Sequence, residues 1–158
     1  MMPTADLYDE FGESLRVVAP LFYDFGGEPS FSGPVSTVKV HEDNSLVRSA
    51  LEEVGAGRVL VVDGGGSMRC ALVGDNLALL GHDNGWAGII VYGCIRDARP
   101  IQEIAIGVKA LATNPRKSVK KGEGERDITV RFGEVTIGPG DYVYADEDGI
   151  VVADQRLD

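Results

Sequence analysis

Histidine and cysteine are scarce in this chain of 158 residues, with two of each. His41 and His82 are separated by 40 residues and show neither H-x-x-x-H nor H-E spacing. That argues against a histidine-based metal site and against a Ser-His-Asp triad. Cys70 and Cys94 lie in apolar stretches and form no C-x-x-C pair, so they read as buried thiols of a reducing compartment. Long apolar runs are missing too. None approaches the roughly 20 residues that span a bilayer. The opening MMPTADLYDE has no basic region followed by an apolar run, so no secretory signal is expected. A cytoplasmic protein away from membranes follows as the expectation. Basic residues are outnumbered, 15 Lys and Arg against 25 Asp and Glu, for a net charge of −10. Such a balance opposes a general attraction to nucleic acid or anionic lipid. It leaves room for a protein partner with a basic surface.

What the chain does have is enough apolar material to fold. Hydrophobic residues make up 44%, which predicts one globular domain over residues 1–158 with one sizeable core. Thr4 can cap a short helix over Ala5–Phe11 that stops near Gly12. Leu15–Val18 reads as extended. FGGEPSFSGP, 25–34, reads as a loop leading into a strand over Val35–Val40. Asn44 can cap a helix over Ser45–Val54, with Gly55 as its stop. RVLVVD (58–63) and GIIVYG (88–93) are short β-branched runs bounded by glycine, as strands buried on both faces are. Between them, 75–83 reads as a helix ended by Gly85, giving a βαβ unit. Residues 104–112 predict another strand, and Thr113–Glu125 a polar, basic loop. ITVRF, VTIG, YVYAD and IVVA, joined by Gly-Glu, Pro-Gly-Asp and Glu-Asp-Gly, predict antiparallel β-hairpins. The expected class is mixed α/β with a parallel centre and antiparallel additions.

Three stretches carry candidate chemistry. VLVVDGGGS resembles a nucleotide loop but fails its tests. No lysine follows the glycines, and Arg69 stands where G-x-G-x-x-G needs its last glycine. Residues 61–67 weakly resemble the strand-acid-glycine loop of S-adenosylmethionine-dependent methyltransferases. Alternatively the three glycines let the backbone turn tightly against a neighbouring element. RKSVKK, 116–121, is either a solvated basic loop or a holder for an anionic group. The third stretch is GDNLALLGHDNGWAGIIVYGCIRDARP, 74–100. Asp75 opens a helix, where unpaired backbone N–H groups can bind an anion. Arg96-Asp97 follows the end of a buried strand, where open α/β sheets place their ligand crevices. In a βαβ unit both ends face one edge, so Asp75 and Asp97 can share a pocket. An ordinary helix cap and a surface ion pair remain the alternative.

GGEPSFSGPVSTVKV, EDNSLV, GRVLVVDGGGSMRCALVGDNLA, GWAGIIVYGCIRDA and YADEDGIVV resemble, in order and spacing, the family of regulator of ribonuclease activity A and the class II 4-hydroxy-4-methyl-2-oxoglutarate aldolases. The resemblance runs from about residue 3 to residue 153. It implies a swivelling β/β/α domain, with a central βαβ unit and C-terminal antiparallel hairpins, assembled as a ring-shaped homotrimer. The aldolase members carry Asp, twenty residues, then Arg-Asp. Asp75 and Arg96-Asp97 stand in that pattern, with residues 76–95 between them.

By that resemblance, the backbone N–H groups of Gly74, Asp75, Asn76 and Leu77 hold a pyruvate carboxylate. Arg96 binds the 2-oxo oxygen, Asp97 ligates a divalent cation (Mg or Mn), and Asp75 orients a water for proton transfer. Longer aldolases draw a further acid from a neighbouring subunit's C-terminal extension, and no residue here is matched to it. The residue types suit the chemistry. Cleaving a C–C bond beside a 2-oxo acid leaves an enolate oxyanion, which needs fixed positive charge. With no lysine in the motif for a Schiff base, a metal and a guanidinium can supply it. Three functions follow for comparison: a lyase cleaving 4-hydroxy-4-methyl-2-oxoglutarate and decarboxylating oxaloacetate, a protein inhibitor of ribonuclease E, and a methyltransferase.

Overall fold

In the computed structural model, which describes residues 1–158, helix α1 (Thr4–Phe11) leads through a 3-10 turn into strand β1 (Arg16–Val17). Next come β2 (Tyr23–Asp24), β3 (Phe31–Lys39), α2 (Ser45–Leu51), β4 (Val59–Asp63), β5 (Ala71–Val73) and α3 (Asp75–Asp83). Strand β6 (Gly88–Ile95), α4 (Ala98–Ile101), β7 (Gly107–Thr113) and β8 (Glu125–Arg126) follow. The chain closes with β9 (Val130–Phe132), β10 (Val135–Ile137), β11 (Tyr142–Asp146) and β12 (Gly149–Ala153). No helix is long and apolar enough to cross a membrane.

Ten strands form one mixed sheet in the order β1-β12-β11-β3-β4-β6-β7-β2, with β5 added to β6 and β8 to β3. Strands β3, β4, β6 and β7 run parallel. Both β4 and the first four residues of β6 are buried on both faces, as their unbroken β-branched runs predict. Helices α2 and α3 cover one face, where Val47, Leu51, Leu77 and Ala78 pack with Leu60, Ile89 and Ile106. The other face closes against β9 to β12 through Val59, Val61, Ile90, Phe132, Val143 and Val152.

Strand β3 joins the two halves. Its residues Phe31–Pro34 pair antiparallel with β11, and Val35–Lys39 pair parallel with β4. The sequence alone predicts a loop over 25–34, because Gly33 and Pro34 break strands locally. Pairing with β11 overrides that propensity. Gly33 is needed where Gly57's carbonyl passes, with no room for a Cβ. Other boundaries differ in the same way. Thr4 lies inside α1 rather than capping it, because its N–H and hydroxyl both donate to the Asp146 carboxylate, at 2.8 and 2.7 Å. Helix α2 stops at Leu51. The strand expected at 104–112 begins at Gly107, after the short helix α4. β10 and β11 do not pair: β9–β10 is a separate two-stranded ribbon, and the Pro-Gly-Asp turn returns the chain to the large sheet.

Gly88 and Gly107 face each other across β6 and β7, and the ring of buried Phe31 rests on both. A Cβ at either position would overlap the ring. Gly107→Ala is therefore expected to destabilise the fold by about 1–3 kcal/mol, the usual cost of overpacking. Pairing it with Phe31→Leu should recover part of the loss in a denaturant-unfolding cycle. Strict additivity of the two changes would show that they do not meet.

Candidate active site

Strand β5 was not expected from the sequence, and it organises the site. Its three residues pair with the end of β6, so the chain enters α3 beside the point where β6 ends. Val73 O accepts the Arg96 N–H at 2.9 Å. One residue further, Asp97 Oδ2 accepts the Asp75 N–H at 3.1 Å. Asp97 adopts a left-handed backbone, φ 59° and ψ 42°, which Asp tolerates better than most residues. That turn ends the strand and aims the carboxylate back at the start of α3. Gly74 makes room, since a Cβ there would lie 2.7 Å from Asp97 Oδ2.

A cleft of about 120 Å³ opens at this junction. Gly74, Asp75, Asn76, Leu77, Arg96 and Asp97 all line it, so both ends of the 74–97 stretch do share one pocket. Asp97 keeps Oδ1 free of protein partners. The Asp75 N–H is already used by Asp97, and this revises the expectation that all four N–H groups of 74–77 are open to a ligand. Those of Asn76 and Leu77, in the first turn of α3, have no intrahelical acceptor. Arg96 reaches the Pro115 carbonyl through Nη1 at 3.4 Å and also borders the adjoining hollow with Asn114.

The basic stretch 116–121 folds over the cleft rather than trailing into solvent. Lys117, Ser118 and Lys120 line it, together with Asn44 and Arg48 of the α2 start. Four cationic side chains, Arg48, Arg96, Lys117 and Lys120, thus face two carboxylates, Asp75 and Asp97. In a chain of net charge −10, this is a local positive site, and cationic side chains there favour an anionic ligand.

Asp43 holds that loop, and sequence reasoning missed it. Its buried carboxylate accepts the Ser45 N–H and hydroxyl at 2.9 and 2.6 Å. It also accepts the Lys121 and Glu123 N–H groups at 2.8 and 3.1 Å. Ala71 N–H donates to Arg116 O at 2.8 Å, and Asn44 N–H to Ser118 Oγ at 3.2 Å. Burial pushes the Asp43 carboxyl up, but the hydrogen bonds from Ser45, Glu123 and Lys121 outweigh it and lower the carboxyl from 3.8 to about 2. The Asx turn from Asp43 to Ser45 was visible as D-x-S; its partners, 78 and 80 residues away, were not. Asn44, expected as a side-chain cap, makes no capping bond; Asp43 supplies it.

A metal at this site would rest on Asp97. No group of three or more His, Cys, Asp or Glu side chains is placed to hold an ion. A transition metal wanting several nitrogen or sulfur ligands does not fit. Magnesium does, because it keeps several waters and needs one or two carboxylates.

The glycines of 64–66 are spent on packing. The N–H groups of Gly64 and Gly66 both donate to Tyr92 O at 3.1 Å, and Gly65 and Gly66 have φ of 68° and 73°. They turn the chain tightly against β6.

The pattern of the RraA-like family, Aldolase/RraA, matches residues 4–152. The chain is 65% identical over 156 residues to the "Putative 4-hydroxy-4-methyl-2-oxoglutarate aldolase" of Alkalilimnicola ehrlichii, covering 99% of this chain and 97% of that one. It is 56% identical to the protein of the same name from Dechloromonas aromatica, covering 98% and 97%. Among solved structures, it is similar to the RNA-processing inhibitor RraA from Thermus thermophilis, with TM-score 0.96, 45% identity and coverage of 100% and 96%. It is also similar to an S-adenosylmethionine:2-dimethylmenaquinone methyltransferase from Geobacillus kaustophilus, with TM-score 0.97, 54% identity and coverage of 99% and 97%. The swivelling β/β/α architecture, with its mixed sheet and C-terminal antiparallel strands, is the fold of this chain.

The lowered Asp43 carboxyl has a definite sign. The folded form binds its proton less readily than the unfolded chain, so the group adds stability that is fully present above pH 3.8. That stability is lost as pH falls toward about 2. Wild type is expected to exceed Asp43→Asn by roughly 2 kcal/mol at neutral pH, and the gap should close between pH 4 and pH 2. Denaturant titrations of both proteins across that window check this; a gap that does not change with pH would contradict it.

Proposed function

The chain belongs to the RraA-like Aldolase/RraA family, and from that premise we propose that its cleft is the active site of a carbon–carbon lyase. The substrate is 4-hydroxy-4-methyl-2-oxoglutarate, split into two pyruvates, and oxaloacetate is decarboxylated at the same site. One observation carries the reading: Asp75, Arg96 and Asp97 meet at one positively charged cleft at the start of α3.

In this mechanism the N–H groups of Asn76 and Leu77 hold the substrate's C1 carboxylate. Arg96 directs its guanidinium at the 2-oxo oxygen, where negative charge collects when the C3–C4 bond breaks. Its fork suits that oxygen-rich group better than a lysine point charge. The bonding pair passes to the pyruvate enolate while the 4-hydroxyl gives its proton to the base formed by the Asp75 carboxylate and its water and becomes the carbonyl of the second pyruvate. A water held by Asp75 then returns a proton to C3. With oxaloacetate, carbon dioxide leaves and the same enolate remains. Asp97 would hold a magnesium or manganese ion, which supplies Lewis-acid charge beside the 2-oxo acid. The assembly proposed with this reading is a ring-shaped homotrimer.

A second reading rests on the similarity to the RNA-processing inhibitor RraA. The acidic chain can dock on basic segments of ribonuclease E through surface outside the cleft. Pull-down of ribonuclease E by Asp97→Asn should equal that by wild type. Loss of capture in the variant would tie both roles to one surface. The methyltransferase reading keeps only the similarity to the Geobacillus protein, since the N–H groups of Gly64 and Gly66 are taken by Tyr92 O and that of Gly65 by Asp63 Oδ1. Calorimetric titration with S-adenosylmethionine is expected to show no heat of binding.

The lyase reading predicts pyruvate release from oxaloacetate in magnesium and none in chelator. Asp97→Asn should abolish it with the fold intact, because an amide lacks the anionic oxygen a hard cation prefers. Arg96→Lys should lose about 100- to 1,000-fold, mainly in kcat. Wild-type turnover by Asp97→Asn at saturating magnesium, or a pure KM effect at Arg96, would contradict these assignments.

A further inference from the structure

In the proposed mechanism two of the substrate's groups already have partners: the N–H groups of Asn76 and Leu77 take the C1 carboxylate, and Arg96 takes the 2-oxo oxygen. Three cations of the cleft, Arg48, Lys117 and Lys120, have no role there. None of the three forms an ion pair within the protein. Arginines elsewhere are matched; Arg16 and Arg69 hold carboxylates at 2.7 and 2.6 Å. Asp75 and Asp97, which line the same cleft, do not pair with these cations either.

The backbone builds this convergence. Arg48 follows Asn44 by one helical turn, its N–H donating to Asn44 O at 3.1 Å, and both residues border the cleft. The 116–121 segment is fastened along its length. Arg116 O accepts the Ala71 N–H at 2.8 Å, and buried Ser118 accepts the Asn44 N–H at 3.2 Å. The Val119 N–H donates to Glu42 O at 3.2 Å, and the Lys121 N–H to Asp43 at 2.8 Å. A loop that only solvates its charges would let them spread apart. Here three like charges are held around one small opening, which costs repulsion that an anion relieves.

We propose that Arg48, Lys117 and Lys120 form a subsite for the second carboxylate of a 2-oxo diacid, and that this subsite sets a preference for diacids over 2-oxo monoacids. The inference rests on the lyase reading, in which that group is the C5 carboxylate of 4-hydroxy-4-methyl-2-oxoglutarate. The C5 carboxylate keeps its charge throughout the reaction and leaves on the second pyruvate. The three cations therefore bind and orient. They take no proton, and the 4-hydroxyl proton still passes to the Asp75 base. Guanidinium and ammonium groups donate charge-assisted hydrogen bonds to a carboxylate; a methyl group in its place receives none.

Two acids of equal chain length, neither with a bond the lyase can cleave, read the subsite in the full chain with magnesium. 2-Oxoglutarate carries a C5 carboxylate where 2-oxopentanoate carries a methyl group. Calorimetric titration of wild type should show about 10-fold tighter binding of the diacid. The gap should narrow as salt is raised. Equal affinity for the two acids would overturn the inference, and this arm needs no variant that could fail to fold. Arg48→Met, and Lys117→Met combined with Lys120→Met, should each lose about 3- to 10-fold on 2-oxoglutarate and less than about 2-fold on 2-oxopentanoate. Equal weakening of both acids would make these side chains structural and would also overturn it. Turnover by the same wild-type preparation tests the lyase reading separately. No pyruvate from 4-hydroxy-4-methyl-2-oxoglutarate or oxaloacetate would overturn that reading, while a diacid preference in the titration would still support the subsite.

Discussion

The hydrogen bond from the Asp75 N–H to Asp97 Oδ2 is the constraint on which the site depends. It joins the first residue of α3 to the second residue past β6 and sets the direction of the Asp97 carboxylate. Several features exist in its service. Strand β5 brings α3 to the end of β6, Gly74 leaves space for the carboxylate, and Asp97 takes a left-handed turn. The bond uses one carboxylate oxygen and leaves the other without a protein partner, the oxygen that the proposed mechanism gives to a cation. It also satisfies one of the N–H groups that a helix start leaves unpaired, and the remaining N–H groups of Asn76 and Leu77 are the ones the proposed mechanism gives to the substrate carboxylate.

The wall opposite that bond is a loop with little apolar content, held by polar contacts. Asp43 is its fastening, receiving backbone N–H groups from Lys121 and Glu123. A carboxylate can do this because several donors offset its burial; one donor would not. The result is a cationic cleft on an acidic molecule. Negative charge elsewhere keeps the surface from attracting polyanions in general, while Arg48, Lys117 and Lys120 act only at the short range of the cleft.

The parts of this arrangement that were legible in the sequence are those whose signal is local. β4 and β6 announce themselves as β-branched runs between glycines, and α3 as a helix behind Gly74-Asp75. βαβ geometry left a shared pocket for Asp75 and Arg96-Asp97 as one of two readings, the family resemblance favoured it, and the structure brings those residues to one cleft. What was not legible depends on distant partners. Phe31–Pro34 becomes a strand only because β11 lies alongside. The three residues of β5 carry no period of their own. Nothing in RKSVKK says that it folds back onto Ala71 and Asp43. Sites are assembled from long-range contacts, and local pattern reports only the elements that bear them.

The central claim is that this cleft stabilises the enolate of pyruvate, and the exchange of pyruvate's own methyl protons tests it without any bond-breaking substrate. Pyruvate in deuterated water with magnesium and wild-type protein, followed by proton NMR, should lose its methyl signal. The signal should persist in chelator and with Asp97→Asn. A methyl signal that stays intact with wild type and magnesium, or that vanishes equally in chelator, would contradict the account.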